Sequence, residues 1–172
     1  MKRVLIFGMV FLMMAFSGCH NQRGKVTEND VKKAEQALFN EDQTTNQEAV
    51  ANAIETFNKF AEQNPDDPKA PEYLFKALEI SINTKQDPVQ SILFCENLVE
   101  KYPEFDKNPV ALFMLASFVY DDQLNDLDMT RDTYQRIVDN YPESPFARDA
   151  AISIQQLGMS PEELIKMFEA QE

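Results

Sequence analysis

Glycine is scarce in this chain, four residues in 172, and tryptophan is absent. No glycine-rich loop is available to cradle a phosphate. With abundant Ala, Leu, Glu, Gln and Lys, the shortage of glycine favours helix over sheet. There is one histidine, His20, in a short polar stretch near the N-terminus. A His-based triad in a folded pocket is therefore excluded, as is a His-rich zinc site. The apolar run Val4–Phe16 has 13 residues, too few for a bilayer-spanning helix, which needs about 20. Basic residues are outnumbered, 16 against 29 acidic, for a formal charge of −13. Phosphate backbones require clustered Lys and Arg, so nucleic acid is not the expected partner.

What is present begins with the leader. Lys2 and Arg3 form a basic start, the apolar run follows, and Phe16-Ser17-Gly18-Cys19 closes it. The length of the run fits the central region of a signal peptide. The small pair Ser17-Gly18 directly before Cys19 resembles the lipobox of bacterial lipoproteins. That resemblance implies lipid on the Cys19 thiol, cleavage before it, and acylation of the new N-terminus. Residues 1–18 are then a signal peptide, 19–26 a lipidated tether, and 27–172 the folded domain. The 154 residues left after cleavage suit one domain of ordinary size. They carry 14 basic and 29 acidic residues, a balance of −15. This acidity reads as a solvated surface or as attraction to a basic partner. With Cys19 lipidated, Cys95 stands alone and no internal disulfide forms. Cys95 lies in the apolar helical run Ile92–Leu98, where a cysteine acts as a small buried hydrophobe.

The rest of the chain repeats itself. Asn64-Pro65, Tyr102-Pro103 and Tyr141-Pro142 are 38 and 39 residues apart, and an acid follows each proline. Five residues before the prolines stand Phe60, Leu98 and Ile137; eight before stand Phe57, Cys95 and Tyr134. Four before stand Ala61, Val99 and Val138. After the prolines, Leu74, Leu112 and Ala151 share one offset, and Ala77, Leu115 and Ile154 another. A fixed period of this size signals stacked supersecondary units. The periodicity predicts helices at about 28–40, 47–63, 70–84, 88–101, 109–122, 129–140, 146–157 and 161–171. Thr27 with Asp30 resembles a capping box. Pro88 and Pro161 stand at first helical turns, and Gly158 ends the seventh helix. Each helix carries one apolar stripe, which stacking of hairpins buries.

Residues 111–120, then Thr130, Tyr134, Ile137 and Tyr141-Pro142, resemble a tetratricopeptide repeat. Leu115-Ala116 matches the large-small pair of that family, Tyr134 its second-helix aromatic, and Pro142 its closing proline. Thr130 stands where alanine is usual, the Asp121–Asp128 loop is about two residues longer than the family norm, and Ala77-Leu78 inverts the large-small order. The resemblance implies an all-α, tetratricopeptide-like helical-hairpin solenoid of about eight helices. The Tyr-Pro-Glu-Ser-Pro ending is similar to envelope members: the lipoprotein of the barrel assembly machinery and the coordinator associated with Tol–Pal.

Catalytic candidates are few. Asp66-Asp67 sits between Pro65 and Pro68, where aspartate serves turns and caps. The Asp121–Asp128 stretch lacks the glycine and terminal glutamate of an EF-hand loop. No catalytic residue, metal site or cofactor is expected. The remaining candidate is a groove. In tetratricopeptide arrays the first helix of each hairpin lines the concave face. Carried over, Glu72, Phe75, Glu79 and Ile82, then Phe113, Ser117 and Tyr120, then Ile152, would face it. These side chains are either ordinary inter-repeat core or a groove for a peptide with apolar anchors and basic flanks. The expected role is a lipid-anchored, non-enzymatic adaptor for another envelope protein, placed at the periplasmic face of the outer membrane. His20, not aspartate, follows Cys19, so the aspartate that retains enterobacterial lipoproteins in the inner membrane is absent. Outer-membrane protein assembly competes with coordination of the cell-wall or division machinery, and with binding of a small molecule or glycan.

Overall fold

A computed structural model describes residues 24–170. The leader, Cys19 and His20 lie outside the described residues. Eight helical segments follow one another: α1 (Glu28–Ala37), α2 (Gln47–Gln63), α3 (Ala70–Asn83), α4 (Pro88–Lys101), α5 (Asn108–Met114, continued by a π-helical stretch Leu115–Asp121), α6 (Leu127–Asn140), α7 (Pro145–Gln156) and α8 (Pro161–Glu169). Their starts have local causes. Thr27 and Asp30 form a reciprocal capping box on α1, and Ser160 and Glu163 form one on α8. Asn46, Asp87, Asp126 and Ser144 cap α2, α4, α6 and α7 with their side chains.

The stops repeat as the sequence does. Asn64, Tyr102 and Tyr141 end α2, α4 and α6 with φ of −134°, −129° and −132°. Each stands before a proline, which pushes it out of the helical region. Each still donates its N–H to the carbonyl four residues back: Phe60, Leu98 and Ile137, the repeat-related trio. One expected stop is corrected. α1 ends at Ala37 rather than near residue 40, because a tight hairpin takes over. The Asn46 N–H donates to the Leu38 carbonyl at 2.7 Å and the Asn40 N–H to the Thr44 carbonyl at 2.9 Å. Asp42 clamps Thr44 through its N–H and its hydroxyl, and Gln43 adopts a positive φ of 65°. Gly158, with φ 78°, stands two residues beyond the end of α7.

From α1 to α7 consecutive helices pack into hairpins, and the hairpins stack. α5 lies against both α3 and α4, and α7 against both α5 and α6. One core runs from Val31 to Ala150. Phe57, Leu78, Leu98, Leu112, Leu115 and Ile137 are fully buried within it. The inverted Ala77-Leu78 pair is as completely buried as Leu115-Ala116. Thr130, in the small-residue position, is also buried and returns its hydroxyl to the Asp126 carbonyl at 2.7 Å. The π-helical stretch accounts for the long segment after α5. The Asp122 and Leu124 N–H groups reach back five residues, to Ser117 and Val119. The wider turns absorb residues that would otherwise lengthen the loop. α8 buries none of its residues. Among the described residues, no helix is long and apolar enough to cross a membrane.

Candidate functional site

The first helices of the hairpins, α1, α3, α5 and α7, form one side of the stack. α3 lies at its centre and carries Glu72, Lys76 and Glu79 on half-exposed positions. Two of the three are engaged by neighbouring hairpins. Lys107, the residue directly before α5, places its ammonium 2.6 Å from Glu72 Oε2. The same ammonium stands 5.3 Å from the Phe75 ring centre and 5.9 Å from that of Phe105, within range of a cation–π attraction. Lys76 pairs with Glu35 of α1 at 2.5 Å. Lys69, directly before α3, pairs with Glu28 at 2.7 Å.

Glu79 differs. Among the described residues it makes no ion pair. Burial raises its carboxyl above the usual glutamate range, and the positive fields of Lys107 and Lys76 oppose that rise. Glu79 is thus a half-buried carboxylate with no ion-pair partner among the described residues, beside two lysines paired elsewhere.

For the other groove positions the structure decides between core and surface. Phe75, Ile82 and Tyr120 take the core alternative, each at 5% exposure or less. Phe75 is closed over by the start of the next hairpin, with the Phe105 ring 6.2 Å away and Lys107 above it. Phe113 is half-buried between Tyr134 at 5.2 Å and Phe146 at 5.6 Å. The Ser117 hydroxyl stands 2.6 Å from the Tyr134 hydroxyl. Ile152 is open, at 39% exposure. The expected apolar strip of Phe75, Phe113 and Ile152 is thus interrupted, because each following hairpin lays an aromatic ring over the Phe before it. What stays accessible is Glu72, Glu79 and Ser117 in part, and Ile152.

The sequence reading missed Lys107 and Lys76 as partners of this face. A signal existed for the first: Lys69 and Lys107 share the 38-residue spacing. It also missed Phe118, an exposed aromatic on the π-helical stretch. A cleft of about 470 Å³ opens between the α5–α6 loop and the α7–α8 turn, lined by Asp121, Asn125, Ser153 and Gln156 among others.

Reactive groups do not converge. The Cys95 thiol is completely buried, and burial pushes it far above the usual thiol range. Asp67 accepts the Lys69 N–H at 2.9 Å as turn chemistry. Asp122 lies 3.6 Å from Lys85 at the surface. Among the described residues, no three His, Cys, Asp or Glu side chains are grouped to hold a metal ion.

The family YfiO, described as outer membrane lipoprotein, matches residues 30–160. No curated protein and no solved structure matches the chain.

Proposed function

From the premise that the chain belongs to the YfiO family of outer membrane lipoproteins, we propose that it is a lipid-anchored adaptor without catalysis of its own. Lipid on Cys19 holds it at the periplasmic face of the outer membrane. The first-helix face of the stack binds a segment of another envelope protein, possessing basic and apolar side chains. The work is scaffolding, within the assembly of outer-membrane proteins.

The observation that carries the reading is Glu79. On a face where Glu28, Glu35 and Glu72 are each answered by a lysine of a neighbouring hairpin, one half-desolvated carboxylate has no answer. A partner lysine or arginine would supply it.

The test is crosslinking in cells with a photoreactive residue at Ser117, in the wild-type chain and in Glu79→Lys. Glu79 is half-exposed, so the substitution leaves the core intact, and a thermal melt checks this. Phe75→Glu would be unsuitable, because it would report on folding. The expected result is capture of one envelope protein that Glu79→Lys abolishes. Capture undiminished by Glu79→Lys would refute the assignment of the face. A β-barrel assembly factor as the captured protein supports outer-membrane biogenesis. A wall or Tol protein moves the adaptor to envelope coordination, and no captured protein favours a ligand-binding role.

A further inference from the structure

Three features of the C-terminal half meet at one place. The first is the cleft of about 470 Å³ between the α5–α6 loop and the α7–α8 turn, a size within the range of small-ligand sites. The second is the π-helical stretch Leu115–Asp121, whose last residue lines the cleft. Widened turns of this kind recur at functional sites. The third is Asn125, which lines the same cleft and holds a left-handed φ of 51°. Residues other than glycine seldom adopt that conformation, and those that do gather at ligand clamps and active sites. The walls belong to elements that are packed together, since α6 lies against both the π-helical stretch and α7. Gly158 closes one side beside Leu127, where a Cβ would stand 3.6 Å from Leu127 Cδ1.

The lining decides what could enter. It holds one carboxylate, Asp121, and no lysine, arginine or histidine. Asp121 is half-buried and has no ion-pair partner among the described residues. Asn125, Ser153 and Gln156 add side chains that accept hydrogen bonds. Leu127, Leu157 and Met159 supply apolar surface. An anion would meet a carboxylate and no cation, on a chain of charge −13. A sugar would find no ring face to stack on, because Tyr134, the aromatic residue of the lining, is 5% exposed. A hard metal ion needs several oxygen ligands, and the acids here are not grouped to give them.

The class that remains is an organic cation. We propose that the cleft binds an alkylammonium group, an ammonium at the end of a chain of methylenes. The ammonium carries three N–H donors and no acceptor. Asp121, the side-chain carbonyls of Asn125 and Gln156, and the Ser153 hydroxyl are the acceptors available to it. The contact with Asp121 is charge-assisted, and the methylenes lie along Leu127, Leu157 and Met159 as lysine stems lie along apolar surface. Two sources carry this chemistry: a free aliphatic amine and a lysine-type side chain of a peptide. The proposal goes beyond the adaptor reading and does not rest on it, because no residue lining the cleft is among the groove positions.

The test is a titration of the full-length lipoprotein in an uncharged detergent at neutral pH, followed through the amide signals of Asn125, Ser153 and Gln156 in nitrogen–proton correlation spectra. The probes are pentylamine, pentanol and the peptide acetyl-Ala-Lys-Ala-amide. Saturable shifts are expected with pentylamine and not with pentanol, which has the same chain and no charge. Asp121→Asn keeps the shape of the side chain and should weaken pentylamine binding by about tenfold or more, the worth of one hydrogen bond to a charged group. Gln156→Glu adds a second carboxylate and should tighten binding, a gain that a damaged fold cannot imitate. Glu100→Gln, the same loss of charge on α4 and outside the cleft, should bind as wild type does. Tighter binding of the peptide than of pentylamine supports the site with a lysine-type side chain as its source, and the reverse order supports it with a free amine. Equal affinity of wild type and Asp121→Asn overturns the proposal. So do pentanol bound as tightly as pentylamine, and the absence of saturable shifts with both ammonium probes.

Discussion

Ser81 and Ser91 join α3 to α4 through a buried hydroxyl pair. Their oxygens are 2.7 Å apart, and the residues are 0% and 1% exposed. Serine to alanine removes one oxygen and leaves almost no cavity, so packing contributes little to the outcome. Ser81→Ala strands the Ser91 hydroxyl, and Ser91→Ala strands that of Ser81. A buried polar group without a partner costs about 1–3 kcal/mol. Each single variant should lose that much, lowering the melting temperature by roughly 2–4 °C per kcal/mol for a domain of this size. Simple addition gives about 2–6 kcal/mol for the double variant. The double variant removes both polar groups, and replacing both partners by apolar groups is close to neutral. It should therefore be more stable than either single variant. Urea unfolding of all four proteins measures the coupling, with unchanged m-values as the control. An additive double variant would refute the reasoning. It would mean that each hydroxyl satisfies itself separately, for instance on the carbonyl four residues back in its own helix.

Two further outcomes are expected. Burial raises the Glu79 carboxyl, so the folded state holds that proton more tightly than the unfolded chain does. The stability it contributes is complete below the ordinary glutamate range and is lost as pH rises through the raised value. Glu79→Gln should thus be more stable than wild type near neutral pH and show no advantage in strong acid, by thermal melts across the range; an advantage independent of pH would contradict the burial argument. Cys95 is buried with its thiol held protonated. Iodoacetamide should leave it unmodified in the folded protein and label it along the urea unfolding curve, while rapid labelling without denaturant would show that α4 opens locally.

How far the sequence disclosed this architecture depends on whether the cause is local. The prolines after Asn64, Tyr102 and Tyr141 act on the residue next to them, so the helix ends they impose could be read directly. Burial of Leu98, Ile137 and Tyr134 follows from periodicity alone. The π-helical stretch in α5 carries no such mark. No proline or glycine lies between Leu115 and Asp121, and the widened turn shows only as a loop too long for its family. The groove positions stayed open between core and surface for a different reason. Whether Phe75 faces solvent depends on where Phe105 and Lys107 land, 30 and 32 residues later. The family pattern places Phe75 on the correct side of its helix and has no means to show the ring above it. The end of α1 depended on the Phe39–Thr45 pairing, which the polar segment from Asp42 to Asn46 permits without announcing.

That each hairpin rests only on its neighbours has a temporal side. Helices meet partners close to them in the chain, from α1 on α2 through α7 on α5 and α6. Chains with local contacts fold fast and need not wait for distant segments. A polypeptide synthesised from its N-terminus presents these partners in the order they are needed. α1 and α2 can close before α5 has been made, and the Lys69–Glu28 contact can form before Lys107 has appeared. At every stage the newest hairpin alone leaves an uncovered apolar edge, and the next arrival covers it. Misassembly between chains, the usual hazard of exposed surface during folding, is confined to one moving front.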